Sequence, residues 1–110
     1  MNDVIQQLAK VLEERKSASA SDSYVASLHE KGLNKILEKI GEEASETILA
    51  AKDCDGSPKA SADVVSETAD LWFHTMVMLS HLDLGPEQVL EELQKRFNIS
   101  GLEEKASRKR

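Results

Sequence analysis

The stretch SETADLWFHTMVMLSHL, residues 66–82, constrains the fold more than any other part of the chain, because it is apolar almost all the way round and yet not wholly so. Val65, Ala69, Trp72, Phe73, Met76, Val77, Met78, Leu79 and Leu82 leave little of such a helix to face water, and a helix of that kind has to be covered by others. Trp72, Met76 and Met78 read as core, with the methionines as gap-fillers. The exceptions are Glu67, Asp70, His74 and His81. At 100° per residue they fall within roughly 60° of one another, forming a narrow polar stripe. Ionised carboxylates inside a fold must be paired or must coordinate a metal.

The rest of the chain is patterned to cover that helix. Val4, Ile5, Leu8, Val11 and Leu12 recur at spacings of three and four and predict a first amphipathic helix over about 2–16. The serine-rich SASASDSY breaks it. From about Ser23 the periodicity returns through Leu28, Ile36, Ile40 and Ile48 to Ala51. This predicts one long second helix, kinked near Gly32 or Gly41. DCDGSPKAS ends it, a third helix runs from Ser61 or Ala62 to Leu82, and DLGPEQ leads to a fourth whose first position suits Pro86. That last helix carries Val89, Leu90, Leu93 and Phe97.

The expectation is an all-α chain, a bundle of four to five helices, with one domain over 1–100 and a flexible basic tail over 101–110. Few β-branched runs and 31% charged residues agree with this. The net charge of −6 argues against nucleic acid as partner. No window is apolar enough for a membrane span, and MNDVIQQLAK carries no signal-like start, so a cytoplasmic protein without membrane contact is expected. Cys54 sits in a polar loop and is read as incidental. Because the third helix is apolar on nearly every side of so short a chain, a homodimer or larger homo-oligomer is expected.

The second helix holds the other half of the chemistry. KIGEEASETILAAK places Glu42, Glu43 and Glu46 within little more than one turn, although like charges at that spacing repel. Glu43 falls roughly 90° from the centre of the apolar stripe, Glu46 farther round and Glu42 farther still. An ExxE edge facing the ExxD of the third helix gathers Glu43, Glu46, Glu67 and Asp70, a hard-oxygen set suited to Mg²⁺, with Mn²⁺ as the alternative. A solvated acidic face is the bland alternative for the glutamates. A di-iron bundle would instead call for Glu-x-x-His pairs. His74 reads as a residue behind the ligands or a substrate contact, and His81 as capping or packing.

GEEASETILAAK followed by SETADLWFHTMVML is similar to the EExxE and ExxD signature of the all-α nucleoside triphosphate pyrophosphatases. Within them the chain resembles the phosphoribosyl-ATP pyrophosphatase family of histidine biosynthesis, from LEERK through DSYVASL to EKASRK. The resemblance implies Mg²⁺-dependent hydrolysis of phosphoribosyl-ATP to phosphoribosyl-AMP and pyrophosphate by water. By motif position it implies Glu43, Glu46, Glu67 and Asp70 as metal ligands, with Glu42 orienting water or a second ion. Glu42 and Glu43 are the catalytic candidates, since a carboxylate near activated water can serve as base.

With no glycine-rich phosphate loop in the sequence, cations must hold the polyphosphate. Lys39 and Lys52 are the first choices, with Arg15, Lys31, Lys35 and Arg96 behind them; each alone is also readable as an ordinary surface charge. Two other functions share parts of the pattern: a house-cleaning pyrophosphatase of deoxynucleotides and a non-catalytic helical binding module.

Overall fold

A computed structural model describes residues 3–97, in which five helices and no strand occur: α1 Val4–Arg15, α2 Tyr24–Lys31, α3 Leu33–Lys52, α4 Pro58–His81 and α5 Pro86–Phe97. The expected tail over 101–110 lies outside the described residues.

The long second helix of the sequence reading is in fact two. Gly32 adopts φ 97°, ψ 176° and serves at once as the end of α2 and the start of α3. Its N–H bonds to the Leu28 carbonyl at 3.0 Å and its own carbonyl accepts from Ile36 N–H at 3.2 Å. Only glycine occupies that backbone region without strain, so the chain turns there within one residue. Gly41 lies inside α3 and breaks nothing. Ser23 opens α2, its hydroxyl accepting from Ala26 N–H at 3.2 Å, the side-chain cap that serine favours.

The start of α4 also differs from expectation, at Pro58 rather than Ser61. Ser57 caps it through Ala60 N–H at 3.2 Å, and a proline at the first helical position loses no hydrogen bond it would otherwise make. At its other end Asp83 takes φ 61°, with Leu84 N–H on the Leu79 carbonyl at 2.7 Å and Asp83 N–H on that of Ser80 at 3.0 Å. This is a Schellman closure with aspartate in the left-handed place usually given to glycine. The Asp83 carboxylate meets Lys16 at 3.2 Å and so ties the end of α1 to the end of α4.

α3 and α4 form the principal packed pair. They run antiparallel: Asp53 lies near Ala60 along their shared groove, and Thr47 lies level with Glu67. The core is Leu12, Val25, Leu28, Ile36, Met76 and Val77, with Ile5, Leu8, Ala9, Ile40, Phe73 and Met78 packed against it. It draws on the first four helices but reaches only the C-terminal half of α4. Trp72 does not belong to it, being 61% exposed, and Val65 is 69% exposed. The expectation of a fully covered third helix therefore fails within a single chain. Among the described residues α3 and, less extensively, α1 pack against α4, and Val65 and Trp72 are left outside those contacts.

Candidate metal centre

Thr47 sets the level of the site. Its hydroxyl lies 2.8 Å from the Glu43 carbonyl in its own helix and 3.1 Å from the Glu67 carbonyl in α4, so one side chain registers the two acidic helices against each other. At that level carboxylate oxygens of Glu43, Glu46 and Glu67 come within 4.8 Å of one another. Glu43 is buried, Glu46 exposed and Glu67 between the two, the gradation expected across the edge of a helix interface.

The protonation of these groups registers their crowding. Burial pushes the Glu43 carboxyl above its ordinary range, a hydrogen bond and charge repulsion from Glu46 add to this, and Asp70 adds more, while His74 opposes it. Burial likewise raises Glu67, with Glu46, Asp70 and Asp63 contributing. The nearest basic influence is Lys39, whose proton is held in part by the charge of Glu43. Three oxygen donors converge and their crowding favours protonation of Glu43 and Glu67, a condition that a hard divalent cation relieves. The donor set fits such an ion and lacks the sulfur or paired imidazole ligands that suit softer metals.

Asp70 is exposed and outside the close triad, although near enough to raise both Glu43 and Glu67. Glu42 is exposed and accepts from Lys39 Nζ at 3.1 Å. Lys39 is held protonated by that bond first and by Tyr24 next. Lys52 and Arg15 are exposed at the C-terminal ends of α3 and α1. Lys35 pairs with Glu38 at 2.9 Å and Arg96 with Glu92 at 2.8 Å, both within their own helices. Lys31 is exposed at the end of α2.

His74 is buried behind the acids at 5% exposure. Its Nδ1 lies 2.8 Å from the Asp70 carbonyl and 3.8 Å from Glu43 Oε1, and its Nε2 lies 2.7 Å from the Tyr24 hydroxyl. Both nitrogens are thus committed to protein partners. His81 packs as expected, stacked on His29 with ring centroids 5.1 Å apart and Nδ1 atoms 2.9 Å apart. Cys54 is half-buried, its sulfur 3.9 Å from Ser61 Oγ.

Beyond the triad, toward the α3–α4 loop, an open groove of about 470 Å³ is lined by Glu46, Leu49, Ala50, Asp53, Ala60, Asp63 and Glu67. Sequence reasoning missed Asp53, Asp63, Thr47 and Tyr24. Thr47 stands one turn from Glu43 and was legible as its helical neighbour. Tyr24 is 50 positions from His74, and only the fold brings them together.

Paired helices that bring Glu43, Glu46 and Glu67 within 4.8 Å of one another define an all-helical protein with a carboxylate cluster that could hold a metal ion. The family model described as phosphoribosyl-ATP pyrophosphohydrolase matches residues 5–97, and the chain belongs to that family. Its reaction is the pyrophosphohydrolysis of phosphoribosyl-ATP in histidine biosynthesis, an enzyme's function, and the all-α fold agrees with it. Among the described residues no helix is long and apolar enough to cross a membrane.

Proposed function

We propose that this chain hydrolyses phosphoribosyl-ATP to phosphoribosyl-AMP and pyrophosphate in a Mg²⁺-dependent reaction, with Glu43, Glu46, Glu67 and Asp70 as the cation's ligands. The observation that carries the reading is the convergence of three carboxylates within 4.8 Å with Glu43 and Glu67 both pushed toward protonation. A bound Mg²⁺ would neutralise the phosphate oxygens and lower the pKa of water. Glu43 and Glu46 hold α3's side of the site, and Glu67 and Asp70 hold α4's.

Glu42, outside the triad and hydrogen-bonded by Lys39 Nζ, is our candidate to accept a proton from the attacking water. Lys39 offers a cation next to it, and Lys52 stands at the far end of the same helix, toward the open groove. Arg15 is a weaker candidate because none of the acids' perturbing neighbours lies on α1. The attacked atom is the α-phosphorus, so that pyrophosphate departs whole.

The active form is a homodimer or a larger homo-oligomer. Trp72, Leu79, Val89, Leu90 and Leu93 line an apolar groove of about 300 Å³ between α4 and α5, a face that a second copy of the same helices matches in length and chemistry. Enclosure by a second copy also suits a nucleotide, since the acidic groove of one chain is open on its outer side. A biosynthetic role of this kind places the protein in the cytoplasm.

The test is pyrophosphate release from phosphoribosyl-ATP beside a panel of nucleoside triphosphates, with Mg²⁺, with Mn²⁺ and with chelator. Turnover confined to phosphoribosyl-ATP and lost with chelator is expected. Preference for a deoxynucleotide would move the chain to the house-cleaning class, and metal-independent turnover would remove the site. Reaction in ¹⁸O-water places the label in phosphoribosyl-AMP; label in pyrophosphate would overturn attack at the α position.

A further inference from the structure

Tyr24 stands directly after the cap of α2 and reaches across to α4, where its hydroxyl lies 2.7 Å from His74 Nε2. The opposite nitrogen of that ring, Nδ1, faces the Asp70 carbonyl at 2.8 Å. A carbonyl only accepts, so Nδ1 carries the hydrogen, and in the neutral ring Nε2 is left to receive one from the phenol. Burial foremost keeps the Tyr24 hydroxyl protonated, the state in which it donates. The imidazole is also fixed sterically, edge-on to Tyr24 at 5.8 Å and to Phe73 at 5.1 Å, while Tyr24 and Phe73 stack at 6.3 Å.

The ring held in this way borders the metal triad, its Nδ1 3.8 Å from Glu43 Oε1. Tyr24 offers no ligand itself and is half-exposed, with Lys35, Lys39, Glu42 and Glu43 all near enough to influence it. Hydrogen bonds behind ligating side chains fix their orientation, and their loss typically weakens metal binding tenfold or more.

We propose that Tyr24 is a positioning residue for the reaction: by donating to His74 Nε2 it locks the imidazole that borders Glu43, and so makes the cation site depend on the seating of α2. This rests on the reading of Glu43, Glu46, Glu67 and Asp70 as the cation site. It gives the short helix a role beyond supplying Val25 and Leu28 to the core, and it links two sequence segments that share no motif.

Tyr24→Phe removes the hydroxyl and keeps the ring stack on Phe73. The full chain and this variant are titrated with Mn²⁺ alone, free ion being followed by electron paramagnetic resonance, and kcat and KM are measured separately. We expect roughly tenfold weaker Mn²⁺ binding in Tyr24→Phe, a matching fall in kcat, and no further loss when Tyr24→Phe is added to His74→Gln. Ring ¹⁵N spectra of the unaltered protein should place the His74 hydrogen on Nδ1, a measurement that stands even if a variant fails to fold.

Absence of Mn²⁺ binding by the unaltered chain would overturn the cation site and this inference with it. Mn²⁺ bound equally well by both chains, an Nε2–H tautomer, or an undiminished penalty in the His74→Gln background would overturn the role of Tyr24 alone. A rise in KM with kcat and Mn²⁺ affinity unchanged would make Tyr24 a substrate contact and likewise overturn it.

Discussion

The two sides of α4 contrast in how completely one chain satisfies them. On the polar side three of the four side chains meet a partner: Glu67 converges with Glu43 and Glu46, His74 is held by Tyr24 and the Asp70 carbonyl, and His81 stacks on His29, while the Asp70 carboxylate stands exposed. On the apolar side Val65 and Trp72 stand open, and Val89, Leu90 and Leu93 of α5 add to the bare surface. Apolar surface of that extent on a small protein signals an interface. The difference teaches that one chain of this fold satisfies the geometry of its charges, which tolerate little displacement, before the less directional burial of its apolar surface, which under the proposed assembly falls to a second copy.

The largest effect belongs to the polar side. Replacing Glu43 or Asp70 with its amide is expected to lower kcat/KM by at least about 100-fold, because even residues behind a metal's ligands cost 10–100-fold when lost. Steady-state assays with circular dichroism as a fold control check it, and near-normal turnover in either variant would remove that residue from the site.

Next comes the apolar side. Trp72→Glu places a charge at the centre of the proposed self-interface and should weaken assembly by about 2 kcal/mol or more, roughly 30-fold in dissociation constant. Sedimentation velocity over a concentration series reads the shift. A stable monomer in the unaltered protein at micromolar concentration would refute the assembly outright.

A smaller effect separates the two ends of the polar side. His29 lies below its ordinary value through burial first, then the charges of His81 and Lys16, with Glu13 opposing. A depressed histidine favours the neutral form in the folded state, so its stabilising contribution is complete above about pH 6.5 and is lost as pH falls through the folded value. The Nδ1 to Nδ1 bond, which needs one nitrogen as acceptor, is lost in the same window. Denaturant midpoints should decline from pH 7 to pH 5, and His29→Asn should flatten that decline. An unchanged slope in the variant would show that the pair does not report on pH.

The smallest expected effect has the opposite sign from the first. Glu43 is raised above its ordinary range, so the metal-free protein loses stability as pH rises through its folded value. Glu43→Gln should therefore raise the metal-free Tm at neutral pH, with the gain shrinking toward pH 4. Addition of Mg²⁺ should stabilise the unaltered chain and not the variant. A lower Tm in the variant would mean that its contact with His74 outweighs the crowding.

The amino-acid sequence by itself determined the helical class, the occurrence of Glu43 with Glu46 and of Glu67 with Asp70 as acidic pairs on two successive helices, and the family. Those are consequences of period 3.6 and of residue identity, both local. The split at Gly32 was half legible, since a glycine marks a possible break while its φ of 97° depends on where α2 must lie. What only the tertiary structure decided is pairing across the chain: Thr47 with Glu67, Tyr24 with His74, His29 with His81. It also decided that Trp72, which pattern alone sends to the core, remains outside it. Periodicity states which face of a helix is apolar. Whether that face is covered depends on how the remaining helices pack, and here they leave Val65 and Trp72 of α4 exposed.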